Sequence, residues 1–263
     1  MILDDLTAAT RKRVAKEKEQ YSIFDLQERV AKLPIKRDFP FEKMLREPGI
    51  HFICEIKRAS PSKGDIKTKI NVATLANDYE QAGADAISVL TEPEYFKGTL
   101  ADLKTTVNQV DLPVLRKDFT IDPYMIYQAK LTGAIVILLI VATLTDEQLQ
   151  TYFDLANQLG LSAIIEVHNA DEIKRALKVN ARIIGVNNRN LKNFTVAMDT
   201  SRNLRSLVPD GVLFISESGI KNHSDVAKLE RIGVNGVLVG ETMMLANDKQ
   251  RQLADLKNGA ADD

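Results

Sequence analysis

Short apolar segments alternate with longer segments of helical periodicity along most of the chain. From residue 51 onward, eight runs of apolar, often β-branched residues are each followed by a stretch in which apolar residues recur every three or four positions. Continuous apolar runs of this length are typical of parallel strands that helices cover on both faces. The predicted strands span residues 51–57, 86–91, 113–118, 136–141, 162–167, 182–187, 213–218 and 236–241.

An internal echo supports a repeating β/α unit. GADAISVL begins at Gly83, GAIVILLI at Gly133 and GVNGVLVG at Gly233, so successive offsets are 50 and 100 residues. In each copy a glycine typical of a helix end precedes a strand. Eight units favour an α/β fold of the closed (β/α)8 type, a TIM barrel, over an open doubly wound sheet, because the sequence contains no GxGxxG or Walker loop.

The start of the chain departs from this rhythm. Ser22 precedes IFDLQERVAKL, where apolar residues recur at helical spacing, and a second short apolar stripe covers residues 39–45. We therefore predict a single domain with an N-terminal helical extension at 1–47, packed on the barrel or covering one end of it as a lid. The barrel itself is expected at 48–255, followed by a frayed tail at 256–263.

Composition favours an ordinary cytoplasmic enzyme. The 263 residues are 44% apolar and 27% charged with a net charge of −1, which gives no indication of a nucleic-acid or membrane partner. The longest apolar run, 133–143, is too short to span a bilayer. The single cysteine, Cys54, excludes an internal disulfide and is expected to pack in the core, and the acidic opening MILDDLTAAT is unlike a signal peptide.

Several predicted strands end in charged or amide side chains. Glu55 and Lys57 end the first strand, Lys117 the third, Glu166 the fifth and Asn187 the sixth. The C-terminal ends of barrel strands form the face on which active sites are built, and residues two apart on a strand point the same way. An isolated pair could be a structural ion bridge, but five such residues at one barrel mouth favour a catalytic site.

The loops after three strands favour an anionic ligand. Ser60 lies in RASPSKG after the first strand, a loop whose hydroxyls and lysine suit a phosphate or carboxylate. Ser218 and Gly219 follow the seventh strand, and Gly240 and Glu241 follow the eighth, where barrels often bind phosphate. No cluster of His, Cys and Asp has the spacing of a zinc site, so we expect no metal.

Five motifs occur in a characteristic order: EIKRASPSKG at 55–64, SVLTEPEYFKGTLADL, PVLRKDFTIDPYMIY at 113–127, IIGVNNRNL and SESGI. In these the chain resembles the indole-3-glycerol phosphate synthases, barrel enzymes of tryptophan biosynthesis, over nearly its whole length. The resemblance implies conversion of 1-(2-carboxyphenylamino)-1-deoxyribulose 5-phosphate to indole-3-glycerol phosphate, with loss of carbon dioxide and water. It implies a lyase that needs no metal or organic cofactor.

The same resemblance implies a role for each strand-end residue. Lys117 resembles the general acid of ring closure, and Glu166 the base of the later dehydration. Lys57 resembles the partner of the substrate carboxylate, and the division of acid duty between the two lysines stays open. Glu55 and Asn187 resemble a supporting network. The implied substrate contacts are Phe96 and Phe119 at the anthranilate ring and Ser60, Arg189, Ser218, Gly219, Gly240 and Glu241 at the phosphate and substrate tail.

Further expectations concern the pKa of Lys117, the position of Ile135, the substrate and the oligomeric state. A neighbouring lysine and partial burial should lower the pKa of Lys117 towards the working range of an acid. Ile135 stands where the family usually has Asp, while Asp85 and Asn235 hold comparable places in the other echoes. Either strain or good packing could result there. We expect a phosphorylated small molecule as the substrate and a monomer, with weak association with other tryptophan-pathway enzymes left open.

Two other interpretations remain at the level of sequence. A different phosphate-binding barrel, such as phosphoribosylanthranilate isomerase, needs an acid and a base but does not explain two strand-end lysines beside EIKRASPSKG. A non-catalytic barrel that binds a phosphorylated metabolite or a partner protein would not need the full set of candidate catalytic residues.

Overall fold

Eight parallel strands close into a barrel, so the predicted TIM barrel is confirmed. The computed structural model describes residues 2–190 and 193–259. Neighbouring barrel strands are consecutive in sequence, and the eighth strand pairs with the first to close the ring. Each lies within its predicted range. The barrel strands are His51–Ile56 (β1), Ala86–Leu90 (β2), Val114–Lys117 (β3), Val136–Ile140 (β4), Ser162–Val167 (β5), Ile183–Asn187 (β6), Leu213–Glu217 (β7) and Gly236–Val239 (β8).

Helices connect the strands and precede the first one. A two-stranded antiparallel hairpin, Ala59–Ser60 with Gly64–Asp65, lies in the loop after β1, and a 3₁₀ turn, Val141–Thr143, follows β4. The helices are Ile2–Gln20 (α1), Ile23–Ala31 (α2), Pro40–Arg46 (α3), Val72–Gln81 (α4), Leu100–Gln109 (α5), Pro123–Thr132 (α6), Asp146–Gln158 (α7), Ala170–Lys178 (α8), Asp199–Arg205 (α9), His223–Glu230 (α10), Glu241–Leu245 (α11) and Lys249–Asn258 (α12).

Alternation along the strands sorts side chains between two apolar regions. Ile53 points into the barrel, where an interior cluster fills the lower layers, and Cys54 points outward into the larger cluster between strands and helices. Cys54 is fully buried, as expected for a core residue. Gly133 ends α6 at a φ of 90°, a conformation that a residue with a Cβ rarely adopts. The glycine echo therefore marks helix ends that feed the next strand.

The N-terminal helices contact both ends of the barrel. Ser22 begins α2 with a capping box to Asp25. Phe41 and Leu45 of α3 are fully buried in the interior cluster at the N-terminal ends of the strands, where they plug the barrel floor. Helix α1 instead lies at the opposite face, where Leu6 joins the same interior apolar cluster from above.

The end of the chain departs from the sequence expectation. Leu256 is fully buried within α12, which continues to Asn258. The prediction of a frayed tail from residue 256 is therefore wrong for residues 256–258, because Leu256 still packs in the core there. Residues 260–263 lie outside the described part of the chain. Across the described residues, no helix is long and apolar enough to cross a membrane.

Candidate active site

A cavity of about 900 Å³ opens at the C-terminal ends of the strands. Polar side chains from five strands meet apolar side chains from α1 and β4 around it. Every residue singled out above for catalysis or substrate contact lines this cavity: Glu55, Lys57, Ser60, Phe96, Lys117, Phe119, Glu166, Asn187, Arg189, Ser218, Gly219, Gly240 and Glu241.

The two lysines share one buried glutamate. Lys57 Nζ donates to Glu55 Oε1 at 2.6 Å, and Lys117 Nζ lies 3.8 Å from Glu55 Oε2. Burial raises the pKa of Glu55, but the two ammonium groups outweigh it and hold that pKa below its ordinary value. Gly240 makes room for this cluster, since a Cβ there would lie 2.5 Å from Glu55 Oε1 and 2.9 Å from Lys57 Nζ. Gly240 therefore abuts the pair formed by Glu55 and Lys57.

Lys117 has a second carboxylate partner on β7. Its Nζ lies 3.3 Å from Glu217 Oε2, and Glu217 is fully buried with neither oxygen in hydrogen-bond alignment. Burial lowers the pKa of Lys117, but Glu217, Glu55 and Glu166 outweigh it, so that pKa is raised. The expectation of a lowered pKa is therefore wrong, because it counted the neighbouring lysine and not three carboxylates.

The pKa of Glu217 is raised as well, but here the shift favours the neutral form of the side chain. Burial, together with the nearby carboxylates of Glu166 and Glu55, raises the pKa of Glu217 to about 7 despite the attraction of Lys117. Gly185 leaves the space this side chain occupies, since a Cβ there would lie 2.5 Å from Glu217 Oε1. Near neutral pH this carboxyl is therefore able both to hold and to release a proton.

Glu166 is held from two sides. Asn187 Nδ2 donates to Glu166 Oε1 at 3.2 Å, and His168 Nε2 lies 3.2 Å from the same oxygen. Asn187 Oδ1 in turn accepts from Ser218 Oγ at 2.9 Å and from the Arg189 backbone N–H at 3.0 Å. One amide therefore connects the carboxylate on β5 with the loops after β6 and β7.

One wall of the cavity is apolar and aromatic. The rings of Phe96 and Phe119 lie 6.2 Å apart, tilted by 45°, a separation typical of paired aromatic side chains. Leu6 of α1 and Leu138 and Ile140 of β4 continue this wall. A flat aromatic ring would fit against these surfaces.

The other end of the cavity carries polar loops. Lys63 Nζ of the loop hairpin lies 3.3 Å from Glu241 Oε1 at the start of α11. Ser218 and Gly219 adopt left-handed backbone, with φ of 69° and 91°. The Glu241 carboxylate thus has a cation beside it, which explains how an acid is accommodated near a predicted anion site.

Among the cavity residues that were not assigned to the site from the sequence, Glu217, Lys63 and Leu6 contact or adjoin the assigned ones. Glu217 lies in the predicted strand 213–218, two residues after the inward-facing Ile215, and this spacing would have placed its side chain in the barrel mouth. Lys63 was noted as a loop cation without a partner. Leu6 gave no signal, because nothing in the sequence says where α1 docks. Within residues 2–190 and 193–259, no group of three or more His, Cys, Asp and Glu side chains is arranged to hold a metal ion.

Comparison with solved structures supports the fold class. The chain superposes on a 3-hexulose-6-phosphate synthase with a TM-score of 0.63 at 14% identity, covering 81% of this chain and 100% of the other. It superposes on the thiamine phosphate pyrophosphorylase of Pyrococcus furiosus with a TM-score of 0.60 at 16% identity, covering 82% and 95%. Fold and site together define an α/β-barrel enzyme with a charged cavity at the strand ends.

Sequence relatives give the family. A family profile described as indole-3-glycerol phosphate synthase matches residues 3–256. Indole-3-glycerol phosphate synthase of Leuconostoc mesenteroides is 59% identical over 98% of this chain and 99% of its own length, and that of Lacticaseibacillus paracasei is 53% identical over 99% and 100%. The chain belongs to the indole-3-glycerol phosphate synthase family, and the resemblance inferred from the five motifs is confirmed.

Proposed function

We propose that the protein converts 1-(2-carboxyphenylamino)-1-deoxyribulose 5-phosphate to indole-3-glycerol phosphate, releasing carbon dioxide and water. The observation that carries this proposal is the meeting of Lys57 and Lys117 with buried carboxylates in one cavity, between an aromatic wall and a polar loop region. This arrangement suits a substrate with an aromatic carboxylate at one end and a phosphate at the other.

Ring closure is the first bond-forming step. The aryl carbon that bears the carboxylate attacks the ribulose carbonyl carbon, and Lys117 donates a proton to the carbonyl oxygen. The raised pKa keeps Lys117 an ammonium at neutral pH, so it stabilises the developing oxyanion and gives up its proton only as that oxygen becomes basic. Glu217, with a pKa of about 7 and 3.3 Å away, is placed to return a proton to Lys117.

Decarboxylation and dehydration complete the indole. The carbon–carboxylate bond breaks and the electron pair restores the benzene ring. Glu166 then removes a proton from the carbon next to nitrogen while the hydroxyl leaves, protonated, as water. Two protons go to the oxygen and one is recovered, so each turnover takes up one proton from solvent. Glu166 is present as a carboxylate that can accept this proton, because His168 and Lys117 outweigh the effect of burial and hold its pKa below the ordinary value.

In this proposal the anthranilate end of the substrate lies at the aromatic wall of the cavity, and its phosphate end lies at the polar loops. Lys57 pairs with the substrate carboxylate, and Glu55 and Asn187 orient the lysine and the base. The anthranilate ring contacts Phe96 and Phe119. The phosphate and substrate tail lie near Ser60, Arg189, Ser218, Gly219, Gly240 and the backbone N–H of Glu241, and Lys63 is close enough to join them. We further propose that the enzyme is a cytoplasmic monomer.

A fluorescence assay tests the proposal. Indole fluorescence should appear when the purified protein is given the carboxyphenylamino substrate, and it should be absent with phosphoribosylanthranilate. An isomerase would instead convert phosphoribosylanthranilate to the carboxyphenylamino compound without forming indole from either substrate, and a non-catalytic barrel would bind a phosphorylated ligand without turnover. Either result would refute the proposed reaction.

A further inference from the structure

An imidazole flanked by two carboxylates lies behind the candidate base. His168 Nε2 is 3.2 Å from Glu166 Oε1, an ion-pair distance without hydrogen-bond alignment, and His168 Nδ1 is 3.1 Å from Glu172 Oε2. We propose that His168 and Glu172 form a positioning pair that fixes the orientation and the ionised state of Glu166. The inference rests on the proposed function, in which Glu166 is the base of dehydration.

The geometry of the pair is built into the start of α8. The backbone N–H of His168 donates to Glu172 Oε2 at 2.8 Å, and Asn169 Nδ2 donates to Glu172 Oε1 at 2.7 Å. Asn169 also caps the helix by accepting from the Glu172 N–H at 3.0 Å. Both oxygens of Glu172 are therefore fixed, and Glu172 in turn fixes the plane of the His168 ring.

The charges around Glu166 explain why a cation is needed there. Lys117 of β3 faces it, but so do the carboxylates of Glu55 on β1 and Glu217 on β7, while Asn187 of β6 contributes only a neutral amide. Lys57 pairs with Glu55, and Lys117 is shared among three carboxylates, so a carboxylate at this position is poorly compensated. A protonated His168 supplies the missing positive charge.

The protonation state of the His168 imidazole agrees with that role. Burial lowers the pKa of His168, but the carboxylates of Glu166 and Glu172 outweigh it and raise that pKa to about 10. His168 is not among the residues that line the cavity. It therefore acts through Glu166 and does not itself touch the substrate.

A set of four variants tests this pair by kinetics. His168→Gln keeps a hydrogen-bond donor but loses the charge, and Glu166→Gln removes the base. Glu172→Gln releases the ring from one anchor. His51→Gln is the matched control, because His51 Nδ1 lies 3.4 Å from Asp85 Oδ1 at the opposite, N-terminal face of the barrel. Single-turnover rates and kcat are followed against pH by indole fluorescence, with circular dichroism to check folding.

We expect Glu166→Gln to reduce the rate by roughly 10²–10⁴-fold, the range typical of a lost general base. His168→Gln should cost about tenfold in kcat with KM nearly unchanged, and the acidic limb of its pH profile should move to higher pH. Glu172→Gln should cost less, since the charged ring remains opposite Glu166. His51→Gln should leave the profile of the wild-type protein.

A second measurement reads the pair without turnover. The chain has three histidines, so their ring protons can be resolved by NMR. His168 should titrate far above 6.5, and its midpoint should fall in Glu166→Gln and in Glu172→Gln.

Two results would overturn the inference. If His168→Gln keeps the wild-type rate and profile while Glu166→Gln is inactive, the pair is purely structural and the proposed function stands. If Glu166→Gln is fully active, the assignment of the base fails and the positioning role fails with it.

Discussion

Lys117 and Glu217 face each other across 3.3 Å inside the barrel mouth, and neither oxygen of Glu217 is aligned for a hydrogen bond. The lysine lies on β3 and the glutamate on β7, so only barrel closure brings them together. The pair combines an ammonium that holds its proton firmly with a carboxyl whose pKa is about 7. A proton lost from Lys117 in the reaction can therefore be replaced within the site.

Removing the lysine should abolish turnover without unfolding the protein. We expect Lys117→Ala to lose at least about 10³-fold in kcat, because the carbonyl oxygen loses its proton donor. Circular dichroism should match that of the wild-type protein. Lys69→Ala, at an exposed position outside the cavity, is the control. Activity within tenfold of wild type for Lys117→Ala would refute the assigned role.

Glu217 should make stability depend on pH. Its pKa is raised from 4.5 to about 7, so the folded protein binds more protons than the unfolded chain between those values. The contribution of Glu217 to the free energy of unfolding is fully present below pH 4.5 and is lost as the pH rises to about 7. The size of this loss is on the order of 1–3 kcal/mol.

Urea unfolding at pH 5 and pH 8 measures this effect. The fall in the free energy of unfolding between these pH values should be smaller in Glu217→Gln than in the wild-type protein. Glu230→Gln, at an exposed position on α10, should keep the wild-type dependence. An equal fall in the free energy of unfolding in all three proteins would show that Glu217 is ionised at both pH values.

A single methyl group at Gly240 should disable the site. Its Cβ would press on Glu55 Oε1 and Lys57 Nζ at 2.5 and 2.9 Å, and a misplacement of about 1 Å at a reacting centre can cost 10²-fold in rate. We expect Gly240→Ala to lose about that factor in kcat and to remain folded. Gly211→Ala is the control, since its Cβ would meet nothing within 4 Å. Unchanged kinetics in Gly240→Ala would mean that the lysine cluster is adaptable.

Helix α1 should matter for both stability and catalysis. Arg13 Nη2 donates to both oxygens of Asp118 at 2.9 and 2.8 Å. Asp118 is buried, and its neighbours in the chain are the cavity residues Lys117 and Phe119. Arg13→Met leaves Asp118 with Arg116 as its remaining cation, at 3.2 Å. We expect a loss of about 3 kcal/mol in stability, as for other broken buried pairs, together with a lower kcat.

A surface pair on the same helix provides the comparison. Lys18 Nζ lies 2.6 Å from Asp122 Oδ2, but both side chains are partly exposed. Lys18→Met should therefore cost only about 0–1 kcal/mol. Thermal melts and activity assays of both variants would compare their losses of stability and kcat. Equal losses in the two variants would contradict the predicted importance of the buried Arg13–Asp118 pair.

At the barrel floor, Ile135→Asp should reduce stability and spare catalysis. Asp85 accepts from the Phe52 N–H and Asn235 from the Phe214 N–H, both at 2.8 Å, and Ile135 offers no such acceptor. Ile135 instead packs against the interior apolar cluster, and replacing that contact with a carboxylate costs on the order of 1 kcal/mol. A higher melting temperature for Ile135→Asp would instead indicate that the isoleucine is strained.

Much of the architecture could be predicted from the sequence because it depends on local chemistry. The apolar runs located every barrel strand to within two residues, since alternating strand and helix patterns are determined by burial along the chain. Strand-end polar residues such as Lys117 and Glu166 could be assigned to one face because closed barrels place all C-terminal strand ends together.

The sequence by itself determined the periodicity, the family motifs and the barrel face that carries them. Only the tertiary structure decided which charges meet: Glu217 beside Lys117, His168 behind Glu166, and Leu6 of α1 in the cavity wall. The direction of each pKa depends on these meetings, because burial and charges from several strands add at one point in space. Sequence spacing does not contain those distances, so the pKa of Lys117 could not be inferred from its neighbours in the chain.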